Sequence, residues 1–151
     1  MDKKGKMNHS KKIRLILIWL LFFGGCTPVF AKEFIKMDLV KKIESSGNPM
    51  AHNQKSGARG LYQITPICLK EWNQFHQKEQ YELKDLFRMD VNEKIARWYL
   101  EVRIPKILKY FGKPVTTRNI LISYNAGVDY VVKNRKLKKE TVDYLIKYEK
   151  F

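Results

Sequence analysis

Glu44 is the residue in this chain best placed to do acid–base chemistry. It opens the run ESSGNP, Glu44 to Pro49. Three further runs follow: GARGLYQITP (Gly57 to Pro66), ISYNAG (Ile122 to Gly127) and ETVDYL (Glu140 to Leu145). Cleaving a glycosidic bond needs a proton for the leaving oxygen and stabilisation of a sugar cation, and most glycosidases use two carboxylates for this. Glu44 falls at the C-terminal end of an expected helix, where the macrodipole is negative, and beside apolar Ile43. Both features disfavour the carboxylate and raise its pKa, keeping a proton available near neutrality. The four runs supply no second carboxylate with an evident catalytic setting. Asp85, Asp90, Glu101 and Asp129 lie outside them, and Asp90 reads more simply as a helix cap.

The remaining runs supply contacts. Gly57 and Gly60 permit left-handed or closely approached backbone before a helix. Tyr62 offers a ring to stack on a sugar face, and Gln63 both donates and accepts hydrogen bonds. Tyr124 brings a hydroxyl to a helix end, with the alternative of a core tyrosine. Asn125 either holds the turn before Gly127 or touches sugar. Glu140 and Tyr144 are four apart and share a helix face.

Taken in order, these runs resemble the lytic transglycosylases with a soluble-lytic-transglycosylase-type, lysozyme-like catalytic domain. The resemblance extends from about Met37 to Tyr148. It implies a mainly α, lysozyme-like single domain over residues 32–151. It also implies cleavage of the β-1,4 bond between N-acetylmuramic acid and N-acetylglucosamine in peptidoglycan. Glu44 acts first as acid and then as base, the substrate's acetamido group assists, and the muramic acid 6-hydroxyl attacks the anomeric carbon. The product is a 1,6-anhydro sugar and no water is consumed. The matching positions make Ser45, Tyr62, Gln63, Tyr124, Asn125 and Tyr144 the substrate-binding set. The family often has Met at the position of Tyr62 and Ala at that of Ser123. Compact members serve local wall opening for secretion or conjugation machines, which makes such an apparatus an expected partner. The rival readings are a hydrolytic lysozyme of the same fold and a wall-binding protein without catalysis.

The elements that position these residues follow from the pattern. Phe34, Met37, Val40 and Ile43 share one helix face, stopped by Gly47 and Pro49. Residues 50–60 read as a loop. Thr65 and Pro66 are the N-cap and first residue of a helix whose apolar side is Ile67, Leu69, Trp72 and Phe75. Residues 76–85 are polar and irregular. Asp90 to Glu93 resembles a capping box for a long helix with Val91, Ile95, Trp98, Val102 and Ile104 inward, kinked or restarted at Pro105. Phe111 to Pro114 is a turn. Thr116 or Thr117 caps a helix ending at Gly127, and a last helix covers about 139–148.

Composition bounds the rest. The 151 residues are 44% hydrophobic and 13% aromatic, enough for one folded core. Residues 1–31 carry six cations (Lys3, Lys4, Lys6, Lys11, Lys12 and Arg14) before the apolar stretch Leu15 to Phe23. They end on Val29-Phe30-Ala31, the pattern of a secretory signal peptide cut after Ala31. Lipidation at Cys26 and retention as an anchor are the alternatives, and only these put the chain on a membrane. The expected location is the periplasm or cell envelope. Beyond Ala31 the chain keeps 24 basic and 14 acidic residues. An exported protein of this charge suits the anionic cell wall rather than nucleic acid. His52, His76 and Cys68 have no metal-ligand spacing, and no motif calls for a cofactor. Cys68 reads as a packed thiol.

Overall fold

The computed structural model describes residues 35–150; the expected signal segment, Cys26 and Phe34 lie outside them. The first helix, α1 (Met37–Ser45), buries Met37 and Val40 and ends on Ser46 in the left-handed conformation (φ 55°). Glu44 and Ser45 therefore occupy its last turn. A loop then makes two isolated bridges, His52 with Arg59 and Arg59 with Ile64, the only pairing of strand type among the described residues. Helix α2 (Pro66–Phe75) starts as its sequence demands: Thr65 accepts the Cys68 N–H, and Pro66 stands where no donor is needed.

A short 3-10 helix (Leu83–Phe87) leads into α3 (Met89–Trp98), a π turn (Tyr99–Arg103) and α4 (Ile104–Tyr110). Thr116 caps α5 (Thr117–Ala126) by accepting from the Asn119 N–H, and Gly127 ends it at φ 95°. The short α6 (Asp129–Val132) and the last helix α7 (Lys139–Glu149) complete the architecture. The fold is mainly helical and lysozyme-like, with the core built from Val40, Tyr62, Ile64, Leu86, Ile95, Leu100, Leu108 and Leu121. The Tyr148 hydroxyl accepts from the Lys36 N–H at 2.7 Å and ties α7 to the start of α1.

Two local expectations change. The run Asp90 to Glu93 does not cap its helix: α3 begins at Met89, so Asp90 already lies inside the first turn and pairs with Arg88 at 2.9 Å. Reciprocal capping occurs earlier, where the Glu82 N–H donates to Asp85 at 2.8 Å. Ile67, Phe75 and Val102, expected inside, are 79%, 58% and 38% exposed. Pro105 does begin a new helix, in the first turn of α4, but through a π turn rather than a break. Its ring crowds the carbonyl four residues back and it lacks an N–H, so the preceding turn widens into the π segment.

The least anticipated structural residue is Asn92. It is fully buried on α3. Its Nδ2 donates to the carbonyls of Arg59 and Leu86 at 2.8 and 2.7 Å, and its Oδ1 accepts from the Tyr62 N–H at 2.9 Å. One side-chain amide thus satisfies three backbone groups and fixes the GARGLYQ loop. Gly60 makes that approach possible: it sits at φ 78°, and a Cβ there would lie 2.2 Å from both Asn92 Nδ2 and the Leu86 carbonyl.

Candidate active site

The four runs meet at one cleft of about 610 Å³. α1 contributes Ile43 and Glu44, the loop before α2 contributes Gln63, α5 contributes Tyr124 and Asn125, and α7 contributes Glu140 and Tyr144. Segments as far apart as Glu44 and Tyr144 are thus brought together by helix packing rather than by local sequence.

Glu44 is the chemical centre. Burial raises its carboxyl to about 7, the negative charge of Glu140 adds to the rise, and the Tyr144 hydroxyl opposes it as a donor to the carboxylate. That hydroxyl is buried, and its closest electrostatic partner is the Glu44 carboxyl. A carboxylic acid with a pKa about 7 is divided between acid and base near neutral pH.

Tyr124 sits beside Glu44, whose charge, after burial, helps raise the phenol well above its usual range. Its hydroxyl is nonetheless committed elsewhere, donating to the Tyr62 carbonyl at 2.6 Å. Tyr124 therefore locks α5 to the loop while lining the cleft. Gln63 adopts φ 49°, unusual for a side-chain-bearing residue. Its Nε2 donates to the carbonyls of Gly60 and Ala51 at 3.0 and 3.3 Å. Those two acceptors fix which end of the amide is nitrogen, and Oε1 is the end left for a ligand. Asn125 lines the cleft, and among the described residues no hydrogen bond engages its side chain.

Two expected contacts fall outside the cleft. Tyr62 is fully buried, so its ring offers no face to a sugar; it is a core residue whose backbone carbonyl does the work. Ser45 does not line the cleft either. Its hydroxyl donates to the Leu61 carbonyl at 2.8 Å and fastens the end of α1, next to Glu44, to the same loop.

Sequence reasoning missed several lining residues. Tyr99 reaches the cleft from the π turn, and burial pushes its phenol up. Glu71 on α2, to which Arg103 donates through Nε at 2.7 Å, adds to that rise. The signal was Pro105, which breaks the helical period just where Tyr99 must turn inward. Asn53, Ser56, Ile67 and Lys147 also line the cleft. Cys68 is buried and free, with its thiol pushed up by burial. Among the described residues no group of three His, Cys, Asp or Glu side chains is arranged to hold a metal.

A glutamate of raised pKa at the end of a helix, facing a helix-lined cleft, is the arrangement to which comparison with known families then gives a name. Residues 33–146 match the family model "Transglycosylase SLT domain", and the chain belongs to that family. Its function is accordingly of the lytic transglycosylase type, directed at peptidoglycan. No curated protein and no solved structure matches the chain.

Proposed function

We propose that the protein cleaves the β-1,4 bond between N-acetylmuramic acid and N-acetylglucosamine without water. Glu44 protonates the glycosidic oxygen, which leaves as the 4-hydroxyl of N-acetylglucosamine. The substrate's acetamido group stabilises the muramyl cation. The Glu44 carboxylate then takes the proton of the muramyl 6-hydroxyl as that oxygen bonds to C1. The products are a 1,6-anhydro end and a regenerated acid. The observation that carries this reading is the half-buried Glu44 carboxyl on the cleft wall, raised to about 7 mainly by desolvation. Tyr144 orients Glu44, while Gln63 Oε1 and Asn125 bind the sugar's polar groups. Tyr124 and Ser45 act indirectly, by holding the loop and the end of α1 that carry Gln63 and Glu44.

The basic, then apolar, N-terminal run supports export to the periplasm or envelope. A small exported wall-cutting domain suits local opening of the wall for a secretion or conjugation apparatus.

One observation favours a second reading. Glu140 lines the same cleft and acts electrostatically on Glu44. In a hydrolytic lysozyme a second carboxylate activates water, and Glu140 is the residue placed to do so. Digestion of purified peptidoglycan by the wild type, Glu44→Gln and Glu140→Gln, followed by mass spectrometry of the fragments, separates the two. The proposal expects anhydro ends from the wild type and Glu140→Gln, and none from Glu44→Gln. Reducing ends that vanish in Glu140→Gln would establish the hydrolytic reading instead.

A further inference from the structure

The end of α4 carries a feature that cleavage does not use. Tyr110 and Phe111 close the helix and are 84% and 51% exposed, their rings packed edge to face with centroids 5.0 Å apart. Val115, 40% exposed, follows across the turn. Gly112, between the rings and Val115, has φ 63° and is exposed, with open space where a Cβ would stand. Neither aromatic lines the cleft.

The charge around this tip is of one sign. From Val102 to Val128 there is no Asp or Glu, while Arg103, Lys106, Lys109, Lys113 and Arg118 all fall in the interval. Arg103 is paired with Glu71 and Arg118 with Glu149, on either side of the tip. Lys106 and Lys109 are exposed on α4, and Lys113 donates to the neutral Asn134 side chain at 3.1 Å, keeping its charge uncompensated. Apolar side chains clustered at the surface and rimmed by charge mark an interaction surface, as isolated ones do not. Tyr110, Phe111 and Val115 stand exposed outside the shallow pocket that Gly112 and Lys113 border, and exposed rings suit a surface that yields around them. Aromatic rings at headgroup depth with lysines reaching the phosphates are how proteins rest on anionic lipid.

We propose that the Tyr110–Phe111 turn seats the domain on an anionic lipid bilayer surface, with Lys106, Lys109 and Lys113 on the headgroup phosphates. This contact is separate from any anchoring through the N-terminal segment and independent of the cleavage chemistry. It would hold the cleft at a set distance from the membrane while glycan strands are cut.

The test is a site-specific one, because the apolar N-terminal run of the full chain could bind vesicles unaided. An environment-sensitive fluorophore is attached through Val115→Cys, and through Lys78→Cys as a reference, in full-length chains carrying Cys26→Ser. Vesicles are phosphatidylcholine alone or with one-third phosphatidylglycerol. The label at position 115 is expected to shift to the blue and brighten at least twofold with the anionic vesicles only, and the label at 78 to stay unchanged. Tyr110→Ser with Phe111→Ser abolishes the response at 115 while muropeptide release from purified wall persists. Lys106→Gln and Lys109→Gln each weaken it about fivefold at low salt. Should the serine variant melt early, the two lysine variants decide. Equal responses at both labels would mean attachment through the N-terminal segment without a preferred face, and would overturn the proposal. So would no response at 115, including the case in which the tip instead captures an acidic protein or wall polymer.

Discussion

The Tyr124 hydroxyl donates a 2.6 Å hydrogen bond to the carbonyl of Tyr62, joining α5 to the loop that carries Gln63. Two runs that read from sequence as separate sugar contacts are thus one mechanical unit. Removing the hydroxyl by Tyr124→Phe leaves a buried carbonyl without that donor. The variant is expected to lose about 1–2 kcal/mol of stability. Its KM rises more than its kcat falls, because Glu44 keeps its own partner. Chemical denaturation together with steady-state kinetics checks both; unchanged stability would contradict the lock.

Tyr144→Phe separates orientation from proton affinity. The Tyr144 hydroxyl lowers the Glu44 pKa, so its removal raises it further above about 7. The alkaline limb of the kcat/KM profile should move to higher pH while the maximal rate falls. A limb that stays in place, or moves to lower pH, would mean that Tyr144 does not face the carboxyl.

Stability should carry the same signature with a definite sign. The Glu44 carboxyl is raised in the folded state from 4.5 to about 7, so the folded protein binds this proton more tightly than the unfolded chain. The stabilising contribution is complete below pH 4.5 and is lost as pH rises through about 7. At pH 8 Glu44→Gln, which has no buried charge to tolerate, should exceed the wild type by up to about 3 kcal/mol. The gap should close as pH falls towards 4.5. Thermal unfolding of both proteins across that window measures it, and a constant difference would show that Glu44 is not desolvated.

Gly60→Ala addresses the support of the cleft rather than its chemistry. The added Cβ meets Asn92 Nδ2 and the Leu86 carbonyl at 2.2 Å in a conformation that side chains avoid. We expect a loss of more than about 3 kcal/mol, comparable to the tail of mutational effects. Ser45→Ala, which loses one hydrogen bond to Leu61, should cost about 1 kcal/mol and leave substrate affinity nearly intact. A large KM effect in Ser45→Ala at wild-type stability would restore Ser45 as a sugar contact.

The helices and their caps were legible because they are local: Thr65, Pro66, Thr116 and Gly127 announce boundaries through their own backbone preferences. Glu44, Gln63, Asn125 and Tyr144 were legible as cleft residues through the resemblance of their runs to a family. Tyr62 was misplaced because an aromatic next to a polar residue such as Gln63 has the same sequence appearance whether it stacks on a ligand or fills a core. Only the packing of α3 against the loop decides that. Asn92 gave no signal, since its value comes from three backbone groups that belong to distant segments. Tyr99 was hidden because the π turn shifts the helical phase on which inward and outward positions are counted.

The central claim is that the bond is broken without water, and isotopic water tests it most directly. Peptidoglycan is digested by the full-length protein in water enriched in oxygen-18, and the new muramyl ends are weighed by mass spectrometry. The account predicts anhydro ends that carry no heavy oxygen and that disappear with Glu44→Gln. Reducing ends bearing one heavy oxygen would contradict it, because they would show that water, not the muramyl 6-hydroxyl, attacks the anomeric carbon.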